Sequence, residues 1–420
     1  MSVAAKPLPY QEAAAIVREQ AGRLAAQGSR GREELSLLEA QGRVLAQDLV
    51  ADRDQPPFAR STRDGFAGRA AEFAQAGPLE VVGLLRAGEC WTGGAVPERG
   101  CVEIMTGAPV PAFADCVVMV EHVERRGTEI ALEAGRVIKA GENVVPAGAE
   151  ASAGAVVLPE GTRLTAHGVA VAASCGYAQV AVWRRPRVAI LSTGDELVEL
   201  GEQPLAHQIR NSNSWTLAAQ VRALGGEPVL APPVRDDAAA LEAAIRTAAA
   251  TCDLVVLSGG VSMGKYDLVE PALEALGGRF LFTGARIQPG KPVVFGLLEG
   301  SGQAALPFFG LPGNPVSTIV CFALFVAPVL AALAGERGYA PRFVQARLRG
   351  RLECKPGLTR FLPAQLTHAI EGGSVEVVAW QGSGDLAATA QANCFAVAPE
   401  PEGQQGGVLV EGAIVSVLLA

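Results

Sequence analysis

The spacing of apolar and polar positions changes along the chain, and each change predicts a different kind of structure. In residues 11–26, and again in REELSLLEAQGRVLA at residues 32–46, apolar positions recur at helical spacing and predict two helices. Short apolar stretches separated by Gly and Pro follow, and they indicate a small β-domain at about residues 48–145. A further helix is predicted at residues 165–174, and we expect it to pack with the N-terminal helices. Residues 1–183 would then form an N-terminal helical region with the β-domain as an insertion.

Apolar strands alternate with helices from Arg187 onward. RVAILS, EPVLAPPV and DLVVLS have the character of buried strands, and SNSWTLAAQVRALGG and DDAAALEAAIRTAAA that of the helices between them. This alternation predicts a doubly wound parallel sheet over residues 184–335, with ligands at the carboxyl ends of its strands. Period-two alternation after Gly335 predicts a C-terminal β-domain at residues 336–420. The expected fold class is therefore multidomain α/β plus β.

Charge and composition narrow the range of partners. The net charge is −8, and no run of Lys or Arg is long enough to follow a nucleic-acid backbone, so we expect no nucleic-acid partner. The uncharged stretch at residues 318–334 is shorter than the ~20 residues of a membrane span and contains Pro328, which favours a buried helix over a span. The eight cysteines form no C-x-x-C pair, and the N-terminus lacks signal-peptide character. We therefore expect a cytoplasmic protein without a membrane partner.

A glycine-rich loop, LSGGVSMGKYD at residues 257–267, follows the third predicted strand. It reproduces most of the phosphate-binding pattern G-x-x-x-x-G-K-[ST], but Tyr266 stands where that pattern has a magnesium-binding hydroxyl. Backbone N–H groups between a strand and a helix suit a phosphate in either case, so a P-loop ATPase and a different anion cradle both remain possible at this point. Asp267, one residue further on, offers magnesium a carboxylate. The loop residues expected at the phosphate are Ser258, Gly259, Gly260 and Ser262.

Other acidic loops follow the neighbouring strands. STGDEL contains Asp195 and Glu196, and VRDD contains Asp236 and Asp237. Taken singly, such residues are more often helix caps than ligands, and Asp195 and Asp237 keep that interpretation. Taken together with Asp267 at adjacent strand ends, the carboxylates favour a metal-assisted phosphate site.

Three further loops carry candidate chemistry. Lys291 in IQPGKPVVFG offers a cation for an anion, and Pro312 and Pro315 fix a rigid turn in LPGNP. In the predicted β-domain, FARSTRDGFA places Asp64 directly before a glycine. EIMTGAPVP likewise places Thr106 directly before a glycine. Asp64 fits either a functional loop or a plain Asp-Gly turn.

Several of these stretches, in their order along residues 7 to 415, resemble the molybdopterin molybdenumtransferase family, MoeA, and the related C-terminal domain of gephyrin. Each stretch is a weak signal alone, but their common order makes the resemblance specific. The matching stretches are STRDGFA, EIMTGAPVP, SAGAVVLPEGTRL, RVAILSTGDEL, IRNSNSWTL, RDD, SGGVSMGKYDLVE, QPGKPVVFG, LPGNPVS and QGSGDLAATAQAN.

The resemblance implies a fold and a reaction. Residues 184–335 would be a molybdopterin-binding α/β domain, residues 336–420 a C-terminal β-barrel domain, and the molecule a homodimer whose cleft is shared between subunits. The implied reaction inserts molybdate into adenylylated molybdopterin with the help of Mg²⁺, forms molybdenum cofactor and releases AMP. A molybdopterin adenylyltransferase would act upstream as a partner. On this basis the glycine-rich loop is a phosphate cradle and its P-loop likeness is coincidental.

The resemblance also assigns roles to individual positions. Asp64 and Thr106, which would come from the other subunit, and Glu196 are the implied catalytic residues, with Glu150 also at a position linked to activity. Lys291 and Arg63 would offset the oxyanion charge. The implied metal ligands are Asp236 and Asp267. The implied substrate-binding residues are Ser258, Gly259, Gly260, Ser262, Lys291, Pro312 and Pro315.

This chain departs from the family pattern at three positions. Glu103 and Gln288 stand where basic residues are frequent, and Glu150 replaces the commoner Asp. The first two departures remove positive charge near an anion site, which would tune its affinity or suit another oxyanion such as tungstate. The alternative function is a non-catalytic molybdopterin-binding or scaffold protein of the same fold. An adenylyltransferase is disfavoured, because SGGVS stands where a TGGTG-type loop would be expected.

Overall fold

The helices of the chain fall mainly in its N-terminal and middle parts. The computed structural model describes residues 6–26, 31–261, 268–299, 305–401 and 405–419. The predicted helix at residues 165–174 is confirmed, and the Thr165 hydroxyl caps it by accepting from the Gly168 N–H. The helices in the described ranges are α1 (Tyr10–Ala26), α2 (Ala70–Phe73), α3 (Ala166–Ser174), α4 (Ser212–Ala223), α5 (Ala238–Thr251), α6 (Val269–Ala275), α7 (Pro315–Cys321), α8 (Ala327–Leu333) and α9 (Leu386–Thr389).

Short strands build the region before residue 184. The inserted β-domain is a six-stranded sheet of order β7-β4-β6-β5-β9-β8, and its apolar residues form two clusters of their own, around Phe66 and around Ile104. The strands of this region are β1 (Arg32–Ser36), β2 (Leu49–Val50), β3 (Arg60–Ser61), β4 (Gly65–Gly68), β5 (Leu79–Leu85), β6 (Gly100–Ile104), β7 (Cys116–Met119), β8 (Val123–Arg126), β9 (Glu129–Leu132), β10 (Val144–Val145), β11 (Val156–Leu158) and β12 (Gln179–Trp183).

The prediction of a second helix, at residues 32–46, is wrong. Its first five residues form β1, which pairs antiparallel with β12 from Arg32 opposite Trp183 to Ser36 opposite Gln179. Pairing with a distant strand outweighs the local helical pattern here, because β12 would otherwise lose its hydrogen-bonded neighbour. The segment then turns, and Leu45 packs with α3 and β12 in one apolar cluster.

The first helix does not pack with α3, contrary to the prediction. Its buried residues, such as Ala13 and Val17, belong to the core of the middle domain. Tyr10 at its start contacts two phenylalanine rings edge-on, Phe325 with centroids 6.3 Å apart and Phe361 at 5.6 Å. The N-terminal region is therefore divided, with α1 on the middle domain and residues 32–50 beside α3.

The middle domain is the predicted doubly wound sheet with one difference. Strands β13, β16, β17 and β21 are parallel, whereas β20 runs antiparallel to both of its neighbours. The sheet order is β16-β13-β17-β21-β20-β18, and the small pair β14 and β15 lies outside it. The strands are β13 (Arg187–Ser192), β14 (Leu197–Val198), β15 (Ile209–Arg210), β16 (Glu227–Leu230), β17 (Leu254–Ser258), β18 (Gly278–Phe282), β19 (Ile287–Gln288), β20 (Val294–Leu298) and β21 (Leu306–Leu311).

Apolar residues of the central strands alternate between two cores. Val188 and Ile190 of β13 pack in the cluster that holds α1, α4, α7 and α8, whereas Ala189 and Leu191 pack in the cluster that holds α5 and α6. Both faces of a parallel sheet are thus covered by helices, which leaves the ends of the strands as the exposed edge. The carboxyl ends of β13, β17 and β21 lie side by side at that edge.

The apolar stretch near residue 318 is a core helix, as predicted. Residues Pro315–Leu333 form one continuous helical segment that is apolar enough to cross a membrane, but 83% of its most apolar window is buried inside the protein. The segment contains a π-helical turn at Phe322–Val326, in which the Ala327 N–H donates to the Phe322 carbonyl. Pro328 follows directly and has no N–H to donate, so the local change of helix type accompanies a proline.

The C-terminal domain is a closed barrel. β24 pairs with both β25 and β26, and the pairs of β22 with β25 and β28 and of β26 with β28 complete the ring. The fold class implied by the resemblance is therefore confirmed in this domain. Its strands are β22 (Arg342–Arg349), β23 (Leu352–Cys354), β24 (Thr359–Thr367), β25 (Ser374–Val377), β26 (Cys394–Ala398), β27 (Gly407–Leu409) and β28 (Ile414–Leu419).

Candidate functional site

A cavity of about 600 Å³ opens at the carboxyl ends of the parallel strands. Its walls come from the loops after β13, β16, β17 and β21, from the start of α4, and from Gly384 of the C-terminal domain. The cavity lies at the edge of the sheet where the sequence analysis predicts a ligand site. The predicted residues that line the cavity are Glu196, Asp236, Ser258, Gly259, Gly260, Pro312 and Pro315.

Two glycines after β17 allow the loops of the cavity to approach each other. Gly259 has a φ of +94°, and a Cβ there would lie 2.5 Å from the Thr193 carbonyl oxygen. Gly260 has a φ of +62°, with the Thr193 methyl group 3.0 Å from the position of a Cβ. Only glycine combines these backbone angles with such close contact. The loop after β17 is thus held against the loop after β13.

The acidic loops are brought together at the rim, but with different roles. The Thr193 hydroxyl donates to Asp236 Oδ1 at 2.7 Å, and the Asp236 N–H donates to Asp195 Oδ1 at 3.3 Å. Asp237 accepts from the Ala240 N–H at 2.8 Å and caps α5, as predicted from its position. Asp195 differs from that prediction, since it stabilises a loop rather than a helix end. Glu196 is exposed at the cavity.

Two predicted residues, Ser262 and Asp267, lie outside the described residues, together with Lys265 and Tyr266. Within the described ranges, His, Cys, Asp and Glu side chains form no group of three or more that would hold a metal ion. Asp236 offers an available carboxylate oxygen, because its Oδ2 has no hydrogen-bond partner among the described residues. The metal assignment to Asp236 and Asp267 stays a prediction.

A second cavity, of about 440 Å³, adjoins the first and shares Pro292, Pro312 and Asn314 with it. Lys291 and Arg360 line it and give it positive charge. The Nε atom of Arg360 and the Oε1 atom of Gln288 are buried without a hydrogen-bond partner in the described part of the chain. Unpaired buried polar atoms are costly, and both of these residues line the second cavity.

The LPGNP turn separates the two cavities and joins two domains. The Thr318 hydroxyl donates to the Pro312 carbonyl at 2.7 Å and fixes the turn on its own helix. The Val316 N–H donates to the Ser383 carbonyl of the C-terminal domain at 3.0 Å. The barrel therefore supplies part of the wall of both cavities.

Asp64 and Thr106 lie together in the inserted β-domain. Asp64 Oδ1 accepts from the Thr106 N–H at 2.6 Å and from the Thr106 hydroxyl at 2.7 Å. Both side chains are exposed, and neither lines the two cavities described above. Asp64 and Thr106 therefore form a hydrogen-bonded pair on the surface, separate from these cavities.

The hydrogen bonds to Asp64 hold the pKa of its carboxyl below the usual value, the backbone N–H of Thr106 having the larger effect and its hydroxyl the smaller. We expect Thr106→Val, which removes only the hydroxyl donor, to raise this pKa toward 3.8, the ordinary value. In the wild type, the stabilisation from these bonds is present above the unfolded-state pKa and is lost as the pH falls through the lower folded-state pKa. NMR titration of the Asp64 carboxyl carbon checks the shift. An unchanged midpoint in Thr106→Val would show that the hydroxyl does not contribute.

Two of the three departures from the family pattern, Glu150 and Glu103, have local partners. Glu150 accepts from Arg60 at 3.0 Å beside the Asp64 loop, and Glu103 accepts from Arg125 at 2.7 Å. Arg125 thus balances the negative charge of Glu103. Gln288 lines the same cavity as Lys291, so the loss of a positive charge at residue 288 acts directly on that cavity.

Sequence reasoning missed three residues that shape the site. Thr193 and Asn213 lie inside stretches that were recognised, STGDEL and IRNSNSWTL, but their hydrogen bonds to distant loops have no signal in the sequence. Arg360 lies in a strand of the barrel, where a basic residue is ordinary on a partly exposed position. Only the folded structure places it beside Lys291.

Comparison with known proteins gives three family matches that together cover most of the chain. Residues 8–176 match the MoeA N-terminal region (domain I and II), residues 189–332 a probable molybdopterin binding domain, and residues 345–420 the MoeA C-terminal region (domain IV). The matches follow the same order as the structural regions described above.

Whole-length relatives agree with these matches. The chain is 35% identical over 387 residues to the molybdopterin molybdenumtransferase of Haemophilus influenzae. These aligned residues cover 88% of this chain and 90% of that protein. The chain is also 35% identical over 381 residues to that of a Nostoc species, over 87% and 85% of the two chains. A crystal structure of the molybdopterin biosynthesis moeA protein from Pyrococcus horikoshii superposes with a TM-score of 0.78 at 30% identity, covering 99% of this chain and 100% of the other.

Proposed function

Because this chain belongs to the molybdopterin molybdenumtransferase family and is an enzyme of molybdenum cofactor biosynthesis, we propose that its two adjoining cavities hold the two substrates of molybdenum insertion. The observation that carries the proposal is the wall they share. The LPGNP turn and Pro292 border both cavities, so ligands in the two would meet at this boundary. Placing two reactants side by side supplies much of the advantage of an enzyme over free solution.

The larger cavity is assigned to the phosphate and pterin of adenylylated molybdopterin. The loop of Ser258, Gly259 and Gly260 borders it. The Gly259 N–H donates to the Leu311 carbonyl at 3.1 Å, so the Ser258 hydroxyl and the Gly260 N–H are the groups that would serve a phosphate oxygen. Its volume of about 600 Å³ is in the usual range for a small-molecule site. Glu196 at the rim would contact the pterin end, which is rich in N–H donors.

The smaller cavity is assigned to molybdate. Lys291 and Arg360 would attract the oxyanion through their positive charges. Gln288 contributes a neutral amide where a third cation would bind more strongly. Two positive charges, rather than three, would therefore hold the anion in this cavity.

Asp236 is assigned to a magnesium site together with Asp267. Mg²⁺ prefers oxygen ligands and usually binds through one or two carboxylates and substrate phosphates, which fits the available Oδ2 atom of Asp236 at the phosphate cavity. When bound, the ion would offset the charge of the phosphate and of the departing AMP. Thr193 would keep the Asp236 carboxylate in place through its hydroxyl.

A homodimer is the arrangement that would bring Asp64 and Thr106 to the chemistry. The pair does not line the cavities of its own chain. The hydrogen bonds from Thr106 nevertheless keep the exposed Asp64 carboxylate ionised. A shared cleft would place it at the cavities of the partner. There it would orient molybdate or the phosphoanhydride that breaks.

The residues act by positioning and by charge, without a protein nucleophile. Cys321 lies next to the smaller cavity, because its thiol donates at 3.5 Å to the carbonyl of Gly290, which lines that cavity. Burial raises the pKa of Cys321, so it remains a neutral thiol. The sulfurs that take up molybdenum are therefore those of the substrate.

Release of AMP from adenylylated molybdopterin by the purified protein with Mg²⁺ tests the proposed function. We expect release to depend on molybdate, because the two cavities serve one reaction. Arg360→Gln, which keeps a polar side chain but removes the charge, should raise the molybdate concentration needed for half-maximal release by about tenfold. Tight binding of molybdopterin without any release would instead support a binding or scaffold role.

A further inference from the structure

Asn213 joins two loops of the larger cavity that lie far apart in the sequence. Its side chain nitrogen Nδ2 donates to Ser258 Oγ at 2.8 Å and to the Gly313 carbonyl at 2.7 Å. The first contact reaches the beginning of the glycine-rich loop, and the second reaches the LPGNP turn. All three residues line the cavity.

The carbonyl of Gly313 fixes the orientation of the Asn213 amide. A carbonyl oxygen only accepts hydrogen bonds, so the amide nitrogen and not the amide oxygen must face it. The same nitrogen then gives its second hydrogen to Ser258. Rotating the amide by half a turn would set two oxygens about 2.7 Å apart at Gly313 and would be repulsive.

The hydroxyl group of Ser258 is left with a proton to give. Ser258 is only 2% exposed, and within the described residues its Oγ takes part in one hydrogen bond, as the acceptor from Asn213. A serine hydroxyl carries one donor hydrogen and two lone pairs. With Asn213 occupying a lone pair, the hydrogen is available to a ligand in the cavity that Ser258 lines.

We propose that Asn213 is a positioning residue that makes the Ser258 hydroxyl a donor to the anionic group of the bound pterin. The inference rests on the proposed function and deepens it, because it names the residue that leaves the Ser258 hydrogen free for an acceptor at this point of the cavity. Asn213 itself would not contact the reacting atoms.

A double-mutant cycle on molybdopterin binding tests this proposal. Dissociation constants for molybdopterin, measured anaerobically by the quenching of tryptophan fluorescence, are compared among the wild type, Asn213→Ala, Ser258→Ala and the double variant. We expect each single variant to weaken binding by about tenfold, the usual size for a hydrogen bond to a charged group. The double variant should be little weaker than either single one, because Asn213 acts through Ser258.

The steady-state parameters provide a second readout. A contact made equally in the bound substrate and the transition state raises KM and leaves kcat nearly unchanged. Thr216→Ala is the matched control, because Thr216 lies in the same helix, its hydroxyl donates to the Ser212 carbonyl of that helix, and it does not line the cavity. It should bind molybdopterin as the wild type does.

The outcomes separate this inference from the function it rests on. Loss of binding that multiplies in the double variant would overturn it, because Asn213 would then act independently of Ser258. Unchanged binding in Asn213→Ala would overturn it directly. Coupled losses of binding in a protein that releases no AMP would support the role of Asn213 while rejecting the transferase mechanism. A wild type that does not bind molybdopterin would reject both.

Discussion

Gly259→Ala should abolish AMP release almost completely, with a fall of more than about a hundredfold, because a displacement of roughly 1 Å in a reactive site costs that much. The added methyl group would lie 2.5 Å from the backbone carbonyl oxygen of Thr193, and backbone cannot rotate away as a flexible side chain would. The loop must then move out, and it carries the phosphate donors with it. Molybdopterin binding and AMP release are the measurements.

Gly277→Ala controls for the backbone penalty of this substitution. Gly277 also has a positive φ, of +80°, but a Cβ there would meet nothing within 4 Å. It should lower stability by about 1 kcal/mol and leave AMP release unchanged. If Gly259→Ala were no worse than Gly277→Ala in the release assay, the close contact with Thr193 would have no role in the cradle.

Mixing two inactive variants, Asp64→Ala and Asp236→Ala, should restore about a quarter of the wild-type activity, since random pairing makes half of the dimers mixed and gives each of those one intact site. The reason is that a shared cleft takes Asp64 from one subunit and Asp236 from the other. A mixed dimer then holds one cleft with both changes and one with neither. AMP release after joint unfolding and refolding is the measurement.

Each variant refolded alone is the control, and neither should recover activity. Asp64 and Asp236 are both exposed, so removing their side chains leaves the cores intact. The presence of mixed dimers is checked with a tag on one of the two chains. Confirmed mixed dimers without activity would show that Asp64 does not serve the cavity of a partner.

The middle domain was predictable because its local and global signals agree. β13 and β17 are buried apolar strands. Asp237 caps α5, as expected from its position, and Asn211 caps α4. In such a sheet ligands bind at the carboxyl ends of the strands, so the position of the larger cavity followed from the order of the elements.

The remaining errors and omissions share one cause, which is contact between distant parts of the chain. Residues 32–46 have a helical pattern, yet β12 recruits the first of them as a strand partner. Arg360 reaches the cavity of Lys291 only because the barrel docks beside the LPGNP turn. The sheet direction of β20 likewise depends on its neighbours and not on its own composition.

The apolar core that α1 enters also continues into the barrel, where it includes Phe361 and Leu418. Middle domain, N-terminal helix and barrel therefore share one cooperative unit, and none of them opens without exposing apolar side chains of the others. The inserted β-domain has its own clusters around Phe66 and Ile104, which makes it a separate unit in terms of local unfolding. The cavities thus belong to the part of the molecule that opens as a whole, whereas Asp64 belongs to a part that opens alone.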